Sequence, residues 1–198
     1  PEPSRKYTSE EVEVPDFLPD LPEIRRNLVP YYESLHRGDE CIGAILKAID
    51  ESDQRDNTLV FFLYDHGMGA PGAKSTLYHH GLRTPIIARW PGQIEEGVVN
   101  NEIIVSSVDI IPTILDAIGL PQLEGIEGIS FVDILKGKED AHREYAYAAH
   151  NYLSQPTEEH FYPHRAIIDK DYCYIFNSYV LRFNGKKSYP MPWMDVVA

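Results

Sequence analysis

The sequence predicts an α/β fold in which helices flank a mostly parallel sheet, followed by a small antiparallel α+β subdomain. Two apolar runs rich in strand-forming residues, Thr58–Tyr64 and Pro85–Trp90, are typical of strands that are covered on both faces. Amphipathic helical patterns lie on either side of these runs. From about Ala141 the pattern changes to short aromatic strands joined by polar turns, so we predict an α/β domain over residues 1–140 and a subdomain over residues 141–198.

The first helix follows an extended arm, since prolines recur through the opening part of the chain. Apolar residues at helical spacing predict this helix over residues 20–50. Asp20 and Glu23 have the spacing of a capping box at its start. Pro30 and Gly38 lie inside the pattern, and they predict a kink or a division into two helices.

The remaining elements follow the two apolar strands. A helix is predicted between Ser106 and Leu120, where Gly119 ends it, and a short helix is predicted at Ser130–Leu135. Three strands of the subdomain are predicted at Tyr145–His150, Arg165–Ile168 and Tyr172–Phe176. The tail from Asn177 has no clear period.

Composition restricts the class of protein. The formal charge is 18 − 31 = −13 and the pI is near 5.0, which argues against nucleic acid as the main partner. No apolar run is long enough to span a bilayer, and the sequence contains no signal-peptide pattern and no Asn-x-Ser/Thr sequon. Cys41 and Cys173 lie in no metal or redox motif, so we expect two buried small apolar residues, with a disulfide as the alternative.

Asp65-His66-Gly67 stands at the carboxyl end of the first predicted strand, where ligands bind in open α/β sheets. A carboxylate next to an imidazole, followed by glycines that let the backbone approach closely, is half of a metal site. The alternative is a plain turn in which Asp65 caps the next segment. Lys74 follows in a Gly-rich loop, where a compact cation suits an anionic substrate, although such a lysine is also typical of a solvated surface.

The order of the motifs in this region resembles that of the type I sulfatases, a family with the alkaline-phosphatase-like fold. Val14–Asp20 and Val108–Leu115 resemble the segments that flank these motifs in the family. The short Gly/Pro-rich loop and Phe161–Ile167 resemble the N-sulfoglucosamine sulfohydrolase (heparan sulfamidase) branch. The motifs themselves are Asp65-His66-Gly67, Lys74, Thr76-Leu77-Tyr78, Gly81, Arg83, Pro85 and Trp90-Pro91-Gly92.

The resemblance implies a sulfated sugar substrate and a role for four residues. Asp65 and His66 would be ligands to a divalent cation, usually calcium, for which the carboxylate is the more natural donor. Lys74 would contact the sulfate oxygens and stabilise the charge that develops as the S–N or S–O bond breaks. His150 would line the substrate pocket, with a purely structural histidine as the alternative. The resemblance also implies a periplasmic, extracellular or lysosomal location.

The family's nucleophile is absent from these 198 residues. Type I sulfatases use a formylglycine made from Cys or Ser in a Cys/Ser-x-Pro-x-Arg element, together with two further Asp ligands near the N-terminus. Neither Cys41 nor Cys173 has this context, and Pro1–Arg5 has a proline at the position of the nucleophile. We therefore expect the nucleophile on an N-terminal half outside this sequence, and we expect the chain alone to be inactive.

Two further readings stay open at this point. One is a phosphoryl-transfer hydrolase of the same superfamily, with a Ser or Thr nucleophile and zinc or manganese. The other is a non-catalytic fragment or binding module. Part of a sheet without its remainder also leaves apolar surface exposed, which predicts self-association into a homo-oligomer or poor solubility.

Overall fold

The computed structural model describes residues 2–152, 161–177 and 196–197. The chain divides into two compact units, Pro1–Leu59 and Val60–Ala198. The boundary at residue 141 stays a prediction, and most of the tail after Asn177 lies outside the described residues. No helix within the described ranges combines the length and the apolar character needed to cross a membrane.

The first unit consists of the extended arm and helix α1, Pro22–Asp50. The helix is continuous through Pro30 and Gly38, so the predicted alternative of two helices is wrong, whereas the alternative of a kink stays a prediction. One proline removes a single hydrogen bond, and the remaining turns of this 29-residue helix hold the backbone. The predicted capping box is also wrong. The N-cap residue is Leu21, because the carboxylate of Asp20 accepts two hydrogen bonds from Arg25 at 2.5 and 2.7 Å instead.

Side chains of α1 hold the arm against the helix by hydrogen bonds to backbone carbonyl oxygens of the arm. The guanidinium of Arg25 donates to the carbonyl oxygen of Val12 at 2.9 Å and to that of Ser9 at 3.3 Å. The hydroxyl of Tyr32 donates to the carbonyl oxygen of Glu13 at 3.1 Å. Val12 is only 1% exposed, so the extended arm packs as part of this unit.

The second unit begins with strands β1, Val60–Leu63, and β2, Ile86–Arg89. Both strands were predicted, but they pair antiparallel, with Val60 opposite Arg89 and Leu63 opposite Ile86. The sequence predicted a mostly parallel sheet without stating which strands pair, and this pair is antiparallel. A parallel pair needs a long crossover, usually a helix, and the residues between these strands form only the four-residue helix α2, His79–Leu82. Mixed sheets in α/β proteins often include such an antiparallel strand.

Helices α3, Ile110–Ala117, and α4, Val132–Leu135, follow. A 3-10 turn at Ser107–Asp109 precedes α3, and Gly119 with φ of 71° ends the helical region as predicted.

The carboxylate of Asp109 is buried, and hydrogen-bond donors from several parts of the second unit surround it. Its oxygens accept hydrogen bonds from four donors: the guanidinium of Arg143 at 2.5 and 2.7 Å, the ring of His142 at 3.2 Å, and the amides of Ile129 and Ser106 at 2.8 and 2.9 Å.

The last four strands form an antiparallel sheet in the order β3-β4-β5-β6, which confirms the predicted antiparallel pattern of the last part of the chain. Their bounds are Ala146–Tyr152, Phe161–Ile168, Cys173–Asn177 and Val196–Val197. Because side chains alternate between faces, Ala148, Ala166 and Ile175, which lie opposite one another, share one face. This inner face is buried, whereas Tyr147 on the other face is 69% exposed.

Apolar side chains are exposed at several places in the second unit, in agreement with the predicted apolar surface. Leu63 and Ile87 on the two-stranded sheet are 40% and 57% exposed.

The prediction of two buried cysteines is wrong for Cys41, which is exposed in the first unit. Cys173 is buried, and both thiols are free. Cys41 lies on an exposed face of α1.

Candidate active site

Asp65 and His66 follow β1 after one residue, Tyr64, at the strand end where the sequence predicts them. The side chain of Asp65 is 82% exposed, and its Oδ2 atom lies 3.1 Å from Nε2 of His66. The other ring nitrogen of His66, Nδ1, lies 2.7 Å from the carbonyl oxygen of Gly67. The ring of His66 is thus fixed by its own backbone, and Nε2 faces a carboxylate that remains accessible.

Gly67 is required by the close approach of α2. Its amide donates to the carbonyl oxygen of Gly81 at 3.3 Å. A Cβ atom at Gly67 would lie 1.7 Å from the carbonyl oxygen of His80, a distance that no side chain tolerates. The glycine therefore lets the Asp65-His66 turn pack directly on the backbone of α2.

The loop after Gly67 folds back and brings Lys74 towards the Asp65-His66 turn. The amide of Lys74 donates to the carbonyl oxygen of Met68 at 3.0 Å. Ala73 is fully buried, and Ser75 has φ of 65°, a left-handed conformation that turns the chain sharply at this point. The side chain of Lys74 is exposed and contacts no partner within the described part of the chain. Its ammonium group is therefore available to an anion.

The carboxylate of Asp65 is a donor of the kind that a calcium ion binds, whereas the imidazole of His66 is a less natural ligand for it. The Oδ2–Nε2 distance of 3.1 Å is that of an ion pair or hydrogen bond between the two side chains, so both would have to turn towards an ion to bind it. A calcium ion takes about six to eight oxygen ligands, so these two donors do not complete a coordination shell. Among the described residues, no group of three His, Cys, Asp or Glu side chains is arranged to hold a metal.

The four-stranded sheet supports the segment that follows Lys74. Leu77 packs with Ala166 and Cys173 in a buried cluster, to which Leu82 and Ala148 are added. The Sγ atom of Cys173 lies 3.5 Å from the carbonyl oxygen of Leu77 and donates a hydrogen bond to it. Burial raises the pKa of this thiol, so it acts as a small apolar residue. The backbone on either side of α2 is thereby held against the inner face of the sheet.

His150 lies on β3, two residues beyond Ala148 and on the same inner face. Its Nδ1 atom is buried and has no hydrogen-bond partner in the described residues. Directly opposite, on β4, is His164, whose ring centroid is 6.2 Å from that of His150. The structure therefore brings together Asp65 and His66, returns the backbone of Lys74 to that turn, and places His150 on the supporting sheet beside a second histidine.

Sequence reasoning missed His164 and Asp109. His164 stands within a strand that the sequence predicted from Arg165, and only the register of β3 with β4 places it opposite His150. The signal for Asp109 was a charged residue within an apolar helical pattern. Burial by itself would raise the pKa of Asp109, but the guanidinium of Arg143, the amides of Ile129 and Ser106 and the ring of His142 outweigh it and lower the pKa to about 2.

Two family models match the chain. The model described as Sulfatase matches residues 1–120, and the model described as N-sulphoglucosamine sulphohydrolase, C-terminal, matches residues 72–186. Each match covers more than half of the chain. Together they include the Asp65–Lys74 segment and the supporting sheet.

Named relatives agree with these matches. An ulvan-active sulfatase from Formosa agariphila is 33% identical over 83% of this chain and 26% of its own length. The N-sulphoglucosamine sulphohydrolase of Homo sapiens is 31% identical over 58% of this chain and 23% of its own length. The chain thus spans about a quarter of the length of these relatives.

Solved structures share the fold. BT4656 in complex with its substrate D-glucosamine-2-N,6-O-disulfate has a TM-score of 0.62 and 24% identity, over 81% of this chain and 34% of that protein. The phosphonate monoester hydrolase of Agrobacterium radiobacter has a TM-score of 0.64 and 22% identity, over 80% of this chain and 34% of that protein. These matches confirm the predicted fold class.

Proposed function

The chain belongs to the sulfatase family, and from this premise we propose that it is the carboxy-terminal part of a sulfatase that hydrolyses a sulfate ester or an N-sulfate on a sugar. The observation that carries the proposal is the match to the Sulfatase family model over residues 1–120, which includes Asp65, His66 and Lys74. The side chain of Lys74 is exposed and its backbone amide donates to the carbonyl oxygen of Met68 in the loop after the Asp65-His66 turn, which supports an anionic substrate near this loop.

Asp65 and His66 would hold a divalent cation, for which calcium is the expected ion. The carboxylate of Asp65 supports this role, and the further ligands that such a site needs would come from outside the described residues. When bound, the cation would supply positive charge to the sulfuryl oxygens. Gly67 lets the turn pack against α2, which fixes the backbone that carries both side chains.

Lys74 would bind the oxygens of the sulfate and stabilise the negative charge that increases as the S–N or S–O bond breaks. No residue of this sequence qualifies as the nucleophile, since neither cysteine stands in a Cys-x-Pro-x-Arg element. In the complete protein, the formylglycine of the family would supply the nucleophile. The 198 residues alone should therefore show no turnover.

A sulfated glucosamine is the proposed substrate class. The human relative is an N-sulphoglucosamine sulphohydrolase, and BT4656 is bound to a disulfated glucosamine. His150 would line the pocket that receives this sugar. The acidic charge of the chain does not favour nucleic acid. The exposed apolar residues near Leu63 and Ile87 favour a homo-oligomer, and we propose a periplasmic, extracellular or lysosomal site of action.

A second candidate function is phosphoryl or phosphonyl transfer, because a phosphonate monoester hydrolase has the same fold at a TM-score of 0.64. The fold alone does not distinguish the two chemistries. The residues upstream of this sequence would distinguish them at once. A Cys/Ser-x-Pro-x-Arg element indicates a sulfatase, whereas a Ser or Thr nucleophile with zinc or manganese ligands indicates the phosphoryl-transfer enzyme.

The test uses the complete protein that contains this chain. Release of inorganic sulfate from N-sulfoglucosamine and from 4-nitrophenyl sulfate is measured beside hydrolysis of a phenylphosphonate monoester, and the bound metal is determined by elemental mass spectrometry. We expect sulfate release, with one calcium per chain that is lost in Asp65→Ala. Removing a group that stabilises transition-state charge lowers kcat by about 100- to 1000-fold, and we expect this for Lys74→Met.

The matched control is Lys138→Met, because Lys138 pairs with Asp133 on the surface and should leave sulfate release unchanged. Preferential hydrolysis of the phosphonate monoester would overturn the proposal in favour of the second function. A Lys74→Met variant with the activity of the unchanged protein would remove Lys74 from the site, whatever the substrate.

A further inference from the structure

Thr76 stands two residues after Lys74, and its side chain bonds to the backbone on both sides of that lysine. Its hydroxyl donates to the carbonyl oxygen of Ala73 at 2.7 Å and accepts from the amide of Tyr78 at 3.4 Å. The carbonyl oxygen of Gly72 lies 3.3 Å from the same hydroxyl. One half-buried side chain thus connects the residues before Lys74 to those after it.

The peptide group that joins Ala73 to Lys74 is held at both of its polar atoms. Its N–H, the amide of Lys74, donates to the carbonyl oxygen of Met68 at 3.0 Å. Its carbonyl oxygen accepts a hydrogen bond from the hydroxyl of Thr76 and a second one, at 3.1 Å, from the amide of Thr76. Because both ends of the peptide group are bonded, the backbone from which the side chain of Lys74 projects is fixed.

The hydroxyl of Thr76 also closes a strained turn. Ser75 has φ of 65°, a left-handed conformation that a residue with a Cβ atom adopts only at a cost. The bond from Thr76 to Ala73 spans Lys74 and Ser75, so it offsets that cost. Without this bond, we expect the turn to relax and the ammonium group of Lys74 to move with it.

The turn around Lys74 rests against α2. A Cβ atom at Gly81 would overlap the carbonyl oxygen of Ala73 and would lie 2.6 Å from that of Thr76, so the helix packs directly on the turn. The carbonyl oxygen of Gly81 accepts a hydrogen bond from the amide of Gly67 at 3.3 Å. The same helix backbone therefore supports the turn that carries Lys74 and the turn that precedes Gly67.

We infer that Thr76 is the positioning residue of Lys74, and that its hydroxyl holds the turn in the conformation that presents the ammonium group to an anion. The inference rests on the proposed function, in which Lys74 binds the sulfate, and makes that role more specific. Thr76 touches no substrate in this role. Its effect passes through Lys74 and exists only while that lysine is present.

The test measures kcat for sulfate release from N-sulfoglucosamine by the complete protein. Thr76→Val keeps the shape of the side chain and removes the hydroxyl. Loss of one hydrogen bond shifts an equilibrium by about two- to tenfold, and misplacing a catalytic group by about 1 Å can cost about 100-fold, so we expect kcat to fall about tenfold. Thr76→Ser keeps the hydroxyl and should recover most of kcat.

The matched control is Thr58→Val. The hydroxyl of Thr58 donates to the carbonyl oxygen of Gln54 at 2.7 Å, the same distance as in the bond from Thr76 to Ala73. Thr58 lies in the first unit and has no role in the proposed site, so its substitution should leave kcat unchanged.

A double-mutant cycle separates positioning from a general structural role. In the Lys74→Met background, Thr76→Val should lower kcat by less than about twofold, because the group that Thr76 positions is gone. A loss of about tenfold in both backgrounds would overturn the inference, and so would equal kcat values in Thr76→Ser and Thr76→Val. An unchanged kcat in Thr76→Val would remove the positioning role and leave the proposed function standing.

Binding of inorganic sulfate, measured by calorimetry, gives a readout that does not depend on catalysis. We expect Kd to rise about three- to tenfold in Thr76→Val, and not to rise further when Thr76→Val is added to Lys74→Met. That pattern in a protein that releases no sulfate would support the positioning role and remove the proposed function. An equal Kd in Thr76→Val and in the unchanged protein would overturn the inference.

Discussion

Asp109 allows a stability prediction whose size follows from the structure. Its carboxylate is fully buried and accepts hydrogen bonds from Arg143, His142 and two backbone amides. Asp109→Asn keeps the size of the side chain but removes the negative charge, which leaves Arg143 with the carbonyl oxygen of Glu127 as its remaining described partner. Breaking a buried ion pair on one side is strongly destabilising, because the other charge stays behind without compensation.

The magnitude comes from the pKa of Asp109. The folded structure lowers it from 3.8 to about 2. At 1.36 kcal/mol for each tenfold change, this corresponds to about 2 kcal/mol of stabilisation at neutral pH. With the unpaired Arg143 included, we expect the free energy of unfolding to fall by about 2–4 kcal/mol in Asp109→Asn. The midpoint of thermal unfolding should then fall by about 5–15 °C.

The assay is urea unfolding followed by circular dichroism, with Asp133→Asn as the matched control. Asp133 pairs with Lys138 at 3.0 Å on the surface, so its loss should lower the free energy of unfolding by less than about 1 kcal/mol. Because the pKa of Asp109 is lower in the folded state, its contribution is complete above pH 4 and is lost as the pH falls towards 2. The difference between the unchanged protein and Asp109→Asn should therefore narrow over that range.

Equal losses of stability in Asp109→Asn and Asp133→Asn would refute the reasoning. A difference between the unchanged protein and Asp109→Asn that does not depend on pH would refute the electrostatic part of it. The loss would then come from packing alone.

Three further predictions follow from the same structure. Gly67→Ala should distort the Asp65-His66 turn and lower metal affinity and activity by at least about tenfold, because the new Cβ atom would overlap the carbonyl oxygen of His80. A Cβ atom at Gly69 would have no neighbour within 4 Å, so Gly69→Ala should leave the calcium affinity, measured by titration, nearly unchanged. Arg25→Ala should release the arm from α1 and speed cleavage of the arm by thermolysin, a protease that does not cleave at arginine. Arg26→Ala removes only a surface pair with Glu23 and should leave the rate of cleavage unchanged. Cys41 should react with a maleimide in the folded protein while Cys173 does not, as counted by mass spectrometry, and equal labelling of both would contradict the burial of Cys173.

The sequence was sufficient for features that depend on neighbouring residues. The position of Asp65 at a strand end follows from the apolar run before it, and the end of the helical region at Gly119 follows from the preference of glycine for positive φ. The strands of the last sheet follow from their aromatic patterns. Each of these predictions needs only the local chain, and local preference and global fold agree there.

Features that depend on tertiary partners were not predictable in the same way. Asp20 has the spacing of a capping residue, but Arg25 competes for its carboxylate with a bidentate ion pair. The direction of β1 relative to β2 depends on how the connection between them folds. The pairing of His150 with His164 depends on the register of two strands, and a shift by one residue would place His164 on the opposite face.

The shared fold of sulfatases and a phosphonate monoester hydrolase means that function has to be argued from particular side chains. Both chemistries transfer a tetrahedral anionic group, and the roles proposed for the cation and for Lys74 would serve either one. A sulfate ester and a phosphonate monoester each carry one negative charge, so the charge of the substrate does not separate these two chemistries. What separates them is the nucleophile and the metal, and neither cysteine of this sequence stands in the element from which the sulfatase nucleophile is made. The match to the Sulfatase family model is therefore the reason to favour the sulfatase, and the upstream nucleophile element is the feature that decides between the two.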